Sequence, residues 1–169
     1  MLRNVDVREM NYAIRRMIRS DIEAIAETFA GWNKTREQYE RYFAENQRGE
    51  RITLVAVVGE RVAGYTNIVW ESNYEPFRQD SIPEITDLNV IGEFQNQGLG
   101  RALIQEAERI AAEAGKSVMG IGVGLTPDYA AAQHLYPKLG YVADGRGVRH
   151  ARYGDETFLT KRLSARKTD

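Results

Sequence analysis

Residues 84–114 read as a strand, a glycine turn and a helix in direct succession, and the rest of the chain is organised around them. Ile85, Leu88 and Val90 are the apolar positions of the strand. Gln95-Asn96-Gln97-Gly98-Leu99-Gly100 is the turn. From Gly98 onward, Leu99, Leu103, Ala107, Ile110 and Ala111 recur at helical spacing, with Arg101, Glu106, Glu108 and Arg109 largely on other faces. Strict alternation in the strand slips by one residue, since Ile85 has one parity and Leu88 and Val90 the other. Such a slip marks either a β-bulge near Thr86–Leu88 or a strand buried on both faces.

The chemistry of the turn suits a phosphate. The first N–H groups of a helix lack an intrahelical partner, and the helix dipole adds partial positive charge there. Gly98 and Gly100 carry no Cβ, so a ligand can approach the backbone closely, with Arg101 near as a charged donor. The same glycines also fit a tight strand-to-helix turn that serves geometry alone.

Two motifs, taken together, carry a resemblance. Gln95-x-x-Gly98-x-Gly100, following a strand that ends in Leu88-x-Val90, resembles the acetyl-CoA-binding motif of the GNAT superfamily of N-acetyltransferases. Downstream, Ala132-x-x-Leu135-Tyr136-x-Lys138-x-Gly140-Tyr141 is similar to that superfamily's second signature. The resemblance covers roughly Tyr12–Leu163. It implies a single-domain α/β (α+β) fold over 1–169, with a mixed central sheet, about four flanking helices and splayed strands at the acetyl-CoA site.

Length and composition set the remaining bounds. The 169 residues suffice for one domain with a real core. A formal charge of −1 gives no global field for nucleic acid or an anionic membrane. The chain has no cysteine, hence no thiol nucleophile and no thiolate metal site, and only His134 and His150 offer imidazole, so no metal is expected. No N-terminal apolar run resembles a signal peptide and nothing approaches a membrane span, so a cytoplasmic location is the expectation.

Around the central segment the pattern predicts a first strand over Tyr12–Met17. A helix after Ser20-Asp21 follows, then a second helix opened by a Thr35/Gln38 capping box. Ile52–Val58 and Val62–Trp70 read as a hairpin, and 71–83 as a loop. Ser117–Val123 reads as a short strand lightened by Gly120, Gly122 and Gly124, as close ligand approach requires. A helix from Pro127-Asp128 stops at Gly140. Tyr141–Ala143 begins a strand, Asp144-Gly145-Arg146-Gly147 is turn chemistry, and Glu156–Leu163 is the last strand.

The resemblance implies a reaction in which the acetyl group of acetyl-CoA passes to a primary amine of a small molecule by direct attack. It places the cosubstrate's diphosphate on Gln95, Asn96, Gln97, Gly98, Leu99, Gly100 and Arg101. The pantetheine arm runs along Leu88, Asn89 and Val90 as an added strand, and Ala132, Tyr136 and Lys138 contribute from the later helix. Glu84 lies eleven residues before Gln95, the spacing of the base in histone-acetylating members. Asp87 is its competitor, and water alone serves in other members. Tyr136 matches the tyrosine that protonates the CoA sulfur, with packing as its alternative. Tyr129 stands where an asparagine is usual. Arg146, Arg149, His150 and Tyr153 are weaker candidates for the acceptor side. Among the aromatics of the first two helices, Trp32, Tyr39, Tyr42 and Phe43 either touch substrate or form core. Competing readings are acetylation of a protein N-terminus or lysine, and a non-catalytic acyl-CoA-binding module. A homodimer is compatible with either.

Overall fold

The two runs richest in β-branched residues fold as neighbouring antiparallel strands, β2 (Arg51–Val58) and β3 (Arg61–Val69), with β1 (Tyr12–Arg16) antiparallel on the other side of β2. The computed structural model describes residues 10–151 and 154–164. It divides into two compact units. One comprises the chain up to Val69 together with Asp87–Ala107, and the other Trp70–Thr86 together with the chain from Glu108 onward. Strand β4 (Glu84–Val90) and helix α4 (Leu99–Glu113) each contribute one part to either unit.

In the first unit the strand order is β1-β2-β3-β4. Helices α1 (Asp21–Thr28) and α2 (Arg36–Gln47) supply the apolar faces that cover it. Ile22, Ile25 and Phe29 meet Tyr39, Tyr42, Val55 and Tyr65 in one buried cluster. The capping residues behave differently at the two helix starts. Thr35 accepts a hydrogen bond at Oγ1 from the Gln38 N–H, as predicted, but the Gln38 side chain donates to the Tyr42 hydroxyl instead of returning to the cap. Ser20 occupies the cap of α1 without using its side chain. Asp21, the first helical residue, turns its buried carboxylate back to accept from the Ile18 N–H and from Arg15, ahead of the helix.

In the second unit the order is β4-β5-β7-β6, formed with β5 (Val118–Gly124), β6 (Val142–Ala151) and β7 (Gly154–Arg162). The β4–β5 pair is parallel and its neighbours are antiparallel, so the sheet is mixed, as expected. The expected loop 71–83 contains a short helix, α3 (Glu75–Gln79). Five residues are too few to display a period, and a proline in the first turn is compatible with helix. Helix α3 places Phe77 against Tyr74 and Phe158, whose rings stack at 3.7 Å. Strand β6 also outruns its expectation. The turn chemistry of 144–147 lies inside it as a register shift between Ala143 and Val148, with Gly145 and Gly147 in left-handed φ.

The glycines of β5 require a correction. A Cβ at Gly120 would stand 2.3 Å from the Phe77 ring, and one at Gly124 would stand 2.3 Å from the Tyr129 ring. Their near neighbours are the protein's own aromatics rather than a ligand. Gly120→Ala is therefore expected to destabilise the fold by about 1–3 kcal/mol, as overpacking does. Chemical denaturation checks this, and a variant as stable as the parent would show that the Phe77 ring has room to move.

Candidate active site

The parity slip in β4 has a definite backbone origin. Asp87 has φ +55°, the left-handed region, in the middle of a strand. For a non-glycine residue this conformation costs on the order of 1 kcal/mol or more and persists only where the surroundings fix it, although Asp tolerates it better than most. Upstream of the kink, the ladder to β5 consists of Glu84↔Gly120 and Ile85↔Ile121. Downstream, Ile91 donates its N–H to the Ala63 carbonyl of β3 at 2.9 Å. A Cβ at Gly64 would stand 2.6 Å from the Asn89 carbonyl oxygen, so the strands approach closely there.

The two candidate carboxylates of β4 sit in opposite environments. Asp87 is an ion-pair partner of Lys34, from the connection between α1 and α2. Its Oδ2 accepts from the Tyr42 hydroxyl at 2.9 Å and the Tyr65 hydroxyl at 3.0 Å, and its Oδ1 from the Asn89 amide at 2.8 Å. Burial works to raise its proton affinity. The Lys34 charge and hydrogen bond, with those of Asn89 and Tyr42, outweigh burial and hold Asp87 below the ordinary carboxylate range.

Glu84 belongs to the other unit and has the reverse balance. Burial raises its pKa first of all, and the nearby negative charge of Glu156 raises it further. The Ser72 hydroxyl, donating to Oε2 at 2.5 Å, and the Arg149 charge oppose this without cancelling it. Ser72 is itself fixed, since its Oγ accepts from the Tyr74 N–H at 2.9 Å. A Cβ at Gly122 would stand 3.1 Å from the Phe158 ring and 3.5 Å from Glu84 Oε1, so this glycine too is closely packed. A carboxylate with elevated proton affinity and a single hydrogen-bond donor can take up a proton, whereas one already holding a cation and three donors is poorly suited to do so.

The glycine turn is held in a fixed, left-handed conformation by its own side chains. Asn96 and Gly98 have φ +60° and +92°. The Gln95 and Gln97 side chains turn back to the carbonyls of Val90 and Glu93, at 2.8 and 3.0 Å, and brace the loop. The first helical bond of α4 runs from the Ala102 N–H to the Gly98 carbonyl. Among the described residues, no acceptor meets the N–H groups of Leu99, Gly100 and Arg101. Three free N–H groups at a helix start, beside an exposed Arg101, fit a diphosphate.

Tyr136 lies on α5 (Ala130–Lys138), buried, with its ring 6.2 Å from that of Tyr141. Burial raises its pKa above the usual phenol value. The buried tyrosines Tyr39, Tyr42, Tyr65, Tyr74 and Tyr141 all have hydroxyl partners, but the Tyr136 hydroxyl has none among the described residues. Asn67 Nδ2 is the one fully buried side-chain polar atom without a partner among the described residues. On the same helix Ala132 is half-buried and Lys138 exposed.

The other candidates divide. Tyr39 and Tyr42 are core, Phe43 packs against it, and Trp32 remains partly exposed. Arg149 lies 3.9 Å from Glu156, and His150 pairs with Asp155. Tyr129, in the asparagine position, packs its ring over Gly124. Tyr153 lies outside the described residues. Lys34, Tyr65 and Ser72, which set the state of the two carboxylates, carry no motif in the sequence. Among the described residues no group of three or more His, Cys, Asp and Glu side chains could hold a metal.

The chain belongs to the acetyltransferase (GNAT) family, whose model matches residues 15–141. It is an acetyltransferase, with acetyl-CoA as cosubstrate. No curated protein matches the sequence. Solved structures share the fold. An N-acetyltransferase from Staphylococcus aureus has a TM-score of 0.72 at 18% identity, with 91% of this chain and 99% of that one covered. The yncA protein of Salmonella typhimurium, solved with its cofactor acetyl-CoA, has a TM-score of 0.70 at 25% identity, covering 94% and 97%. The ribosomal-protein-S18-alanine N-acetyltransferase of Escherichia coli has a TM-score of 0.68 at 18% identity, covering 94% and 97%.

Proposed function

We propose that the protein transfers the acetyl group of acetyl-CoA to a primary amine of a small molecule, by direct attack in a ternary complex. The observation that carries this reading is the setting of Glu84, half-buried on β4 with its carboxylate held by the Ser72 hydroxyl, where burial raises its proton affinity and suits it to accept a proton. Acetyl-CoA, when bound, supplies an activated thioester carbonyl. The free N–H groups of Leu99, Gly100 and Arg101 would hold its diphosphate, and the backbone of Leu88–Val90 would pair with its arm. Glu84 takes the proton of the incoming ammonium, directly or through water, because only the neutral amine is nucleophilic. Tyr136 keeps a proton available for the departing sulfur. The half-buried position of Glu84 suits a slender amine as acceptor.

Gly100→Val is expected to abolish the rise in melting temperature that CoA produces, while leaving the protein folded, because the added branches crowd the turn. Unchanged CoA affinity would place the diphosphate elsewhere. A panel of small amines set against peptide N-termini and lysine peptides tests the acceptor class. The highest kcat/KM should fall among the small amines, and a peptide that exceeds them all would favour a protein acceptor. A cytoplasmic enzyme is part of this reading. So is a homodimer, for which edge strand β6 offers the exposed Val142 and Val148. Sedimentation at rising concentration checks the dimer, and a constant monomer mass would exclude it.

A further inference from the structure

The kink at Asp87 and the charge network around it belong to one device. A left-handed residue in a strand is held only if its surroundings fix it. Here the fixing groups come from three separate elements. Lys34 arrives from the α1–α2 connection, Tyr42 from α2 and Tyr65 from β3, while Asn89 closes the turn from two residues along. Asn89 Nδ2 also donates to the Asp87 carbonyl oxygen at 3.1 Å, so side chain and backbone of the kink are tied together. Behind them Tyr39 meets the Tyr65 hydroxyl at 3.4 Å, and the Tyr42 ring lies under Arg51 at 4.2 Å. All of these groups belong to the first unit. The carboxylate is fully engaged and anionic, which leaves it without a part in proton transfer.

We infer that Asp87 is a positioning residue for acetyl transfer: its carboxylate, clamped by Lys34, Tyr42, Tyr65 and Asn89, fixes the left-handed turn in β4 and thereby aims the Leu88–Val90 backbone. This rests on the reading that Leu88–Val90 pair with the acyl donor. The clamp accounts for the lowered proton affinity of Asp87, and Glu84, three residues away on the same strand, lies outside it. Asp87 spends its negative charge on the backbone geometry, and Glu84 stays available for the amine.

The test combines amide hydrogen exchange without ligand and steady-state kinetics, on Asp87→Ala, Asp87→Asn and Lys34→Met. Asp87→Ala should speed exchange at Leu88–Val90 and lower kcat/KM for acetyl-CoA by roughly tenfold to a hundredfold, the scale of a misplaced reactant. The KM for the amine should stay near its wild-type value. Asp87→Asn keeps an oxygen for the tyrosines and a residue tolerant of left-handed φ, so it should recover most of the loss. The acid limb of its pH profile should not move. Lys34→Met should show the same pattern more weakly, and it carries the test if Asp87→Ala does not fold. Unchanged exchange at Leu88–Val90 would overturn the clamp, and loosened exchange with unchanged kinetics would overturn its link to transfer. Loss of the acid limb in Asp87→Asn, with unchanged KM for acetyl-CoA, would make Asp87 the base and overturn the proposal too. The exchange arm needs no cofactor, so it judges the clamp even if CoA proves to bind elsewhere.

Discussion

Tyr136→Phe lowers kcat by roughly a hundred- to ten-thousand-fold, the range for a lost general acid, while acetyl-CoA binding changes little. The substitution removes one hydroxyl and keeps the ring that packs in the buried face of α5. That hydroxyl has no protein partner among the described residues, so its removal breaks no internal bond, and the melting temperature should hold or rise slightly. Burial holds the phenol above its usual pKa of about 10, so it stays protonated across the working range. Against a thiol of about 8.5, full proton transfer from such a phenol is uphill. Its contribution is then a hydrogen bond to charge developing on sulfur, strongest in the transition state. Single-turnover rates, measured where chemistry limits the reaction, check this. Wild-type rates in Tyr136→Phe would make the residue a packing tyrosine with no part in stabilising the departing sulfur.

Glu84→Gln is the second large effect, with opposite signs in activity and stability. Activity should fall by roughly a hundredfold or more near neutrality, with acetyl-CoA binding unchanged. In the wild type, kcat/KM should drop as pH falls through the raised pKa of Glu84, so the acid limb lies above the ordinary carboxylate range of about 4.3. In Glu84→Gln that limb should vanish. Stability runs the other way. The folded pKa of Glu84 exceeds the unfolded one, so its ionisation weakens the fold as pH rises through the folded value. A neutral glutamine can still accept from Ser72. Glu84→Gln should therefore melt higher than wild type at neutral pH, with the difference shrinking in acid. Full activity across the pH range would reject Glu84 as the base.

The sequence revealed those parts of the molecule that depend on local pattern. Fifteen residues of α4 display the helical period, with Leu99, Leu103, Ala107, Ile110 and Ala111 all buried. The parity slip between Ile85 and Leu88 located the kink at Asp87 because a strand records its register in every second residue. Helix α3 stayed hidden because five residues show no period, and the bulge of β6 because glycine turn chemistry reads the same inside a strand as at its end. Gly120 and Gly124 looked like ligand space because an absent Cβ does not say whether a substrate or the rings of Phe77 and Tyr129 will fill the room. The partners of the two carboxylates were out of reach for a different reason. Lys34 lies 53 residues from Asp87, and no local rule pairs them. The sequence favoured Glu84 over Asp87 by its spacing from Gln95 alone, and carried no sign of the lysine that turns Asp87 into a clamp.

The most direct measurement is the fate of the acetyl group when purified protein is mixed with carbonyl-labelled acetyl-CoA and a panel of primary amines. Thiol release and labelled amide should appear in equal amounts for at least one amine, and both should depend on that amine and rise with pH through the Glu84 range. A protein whose melting temperature shifts with CoA, yet which forms no labelled amide and releases no thiol with any amine or peptide, would be a binding module, and catalytic acetyl transfer by this chain would be contradicted.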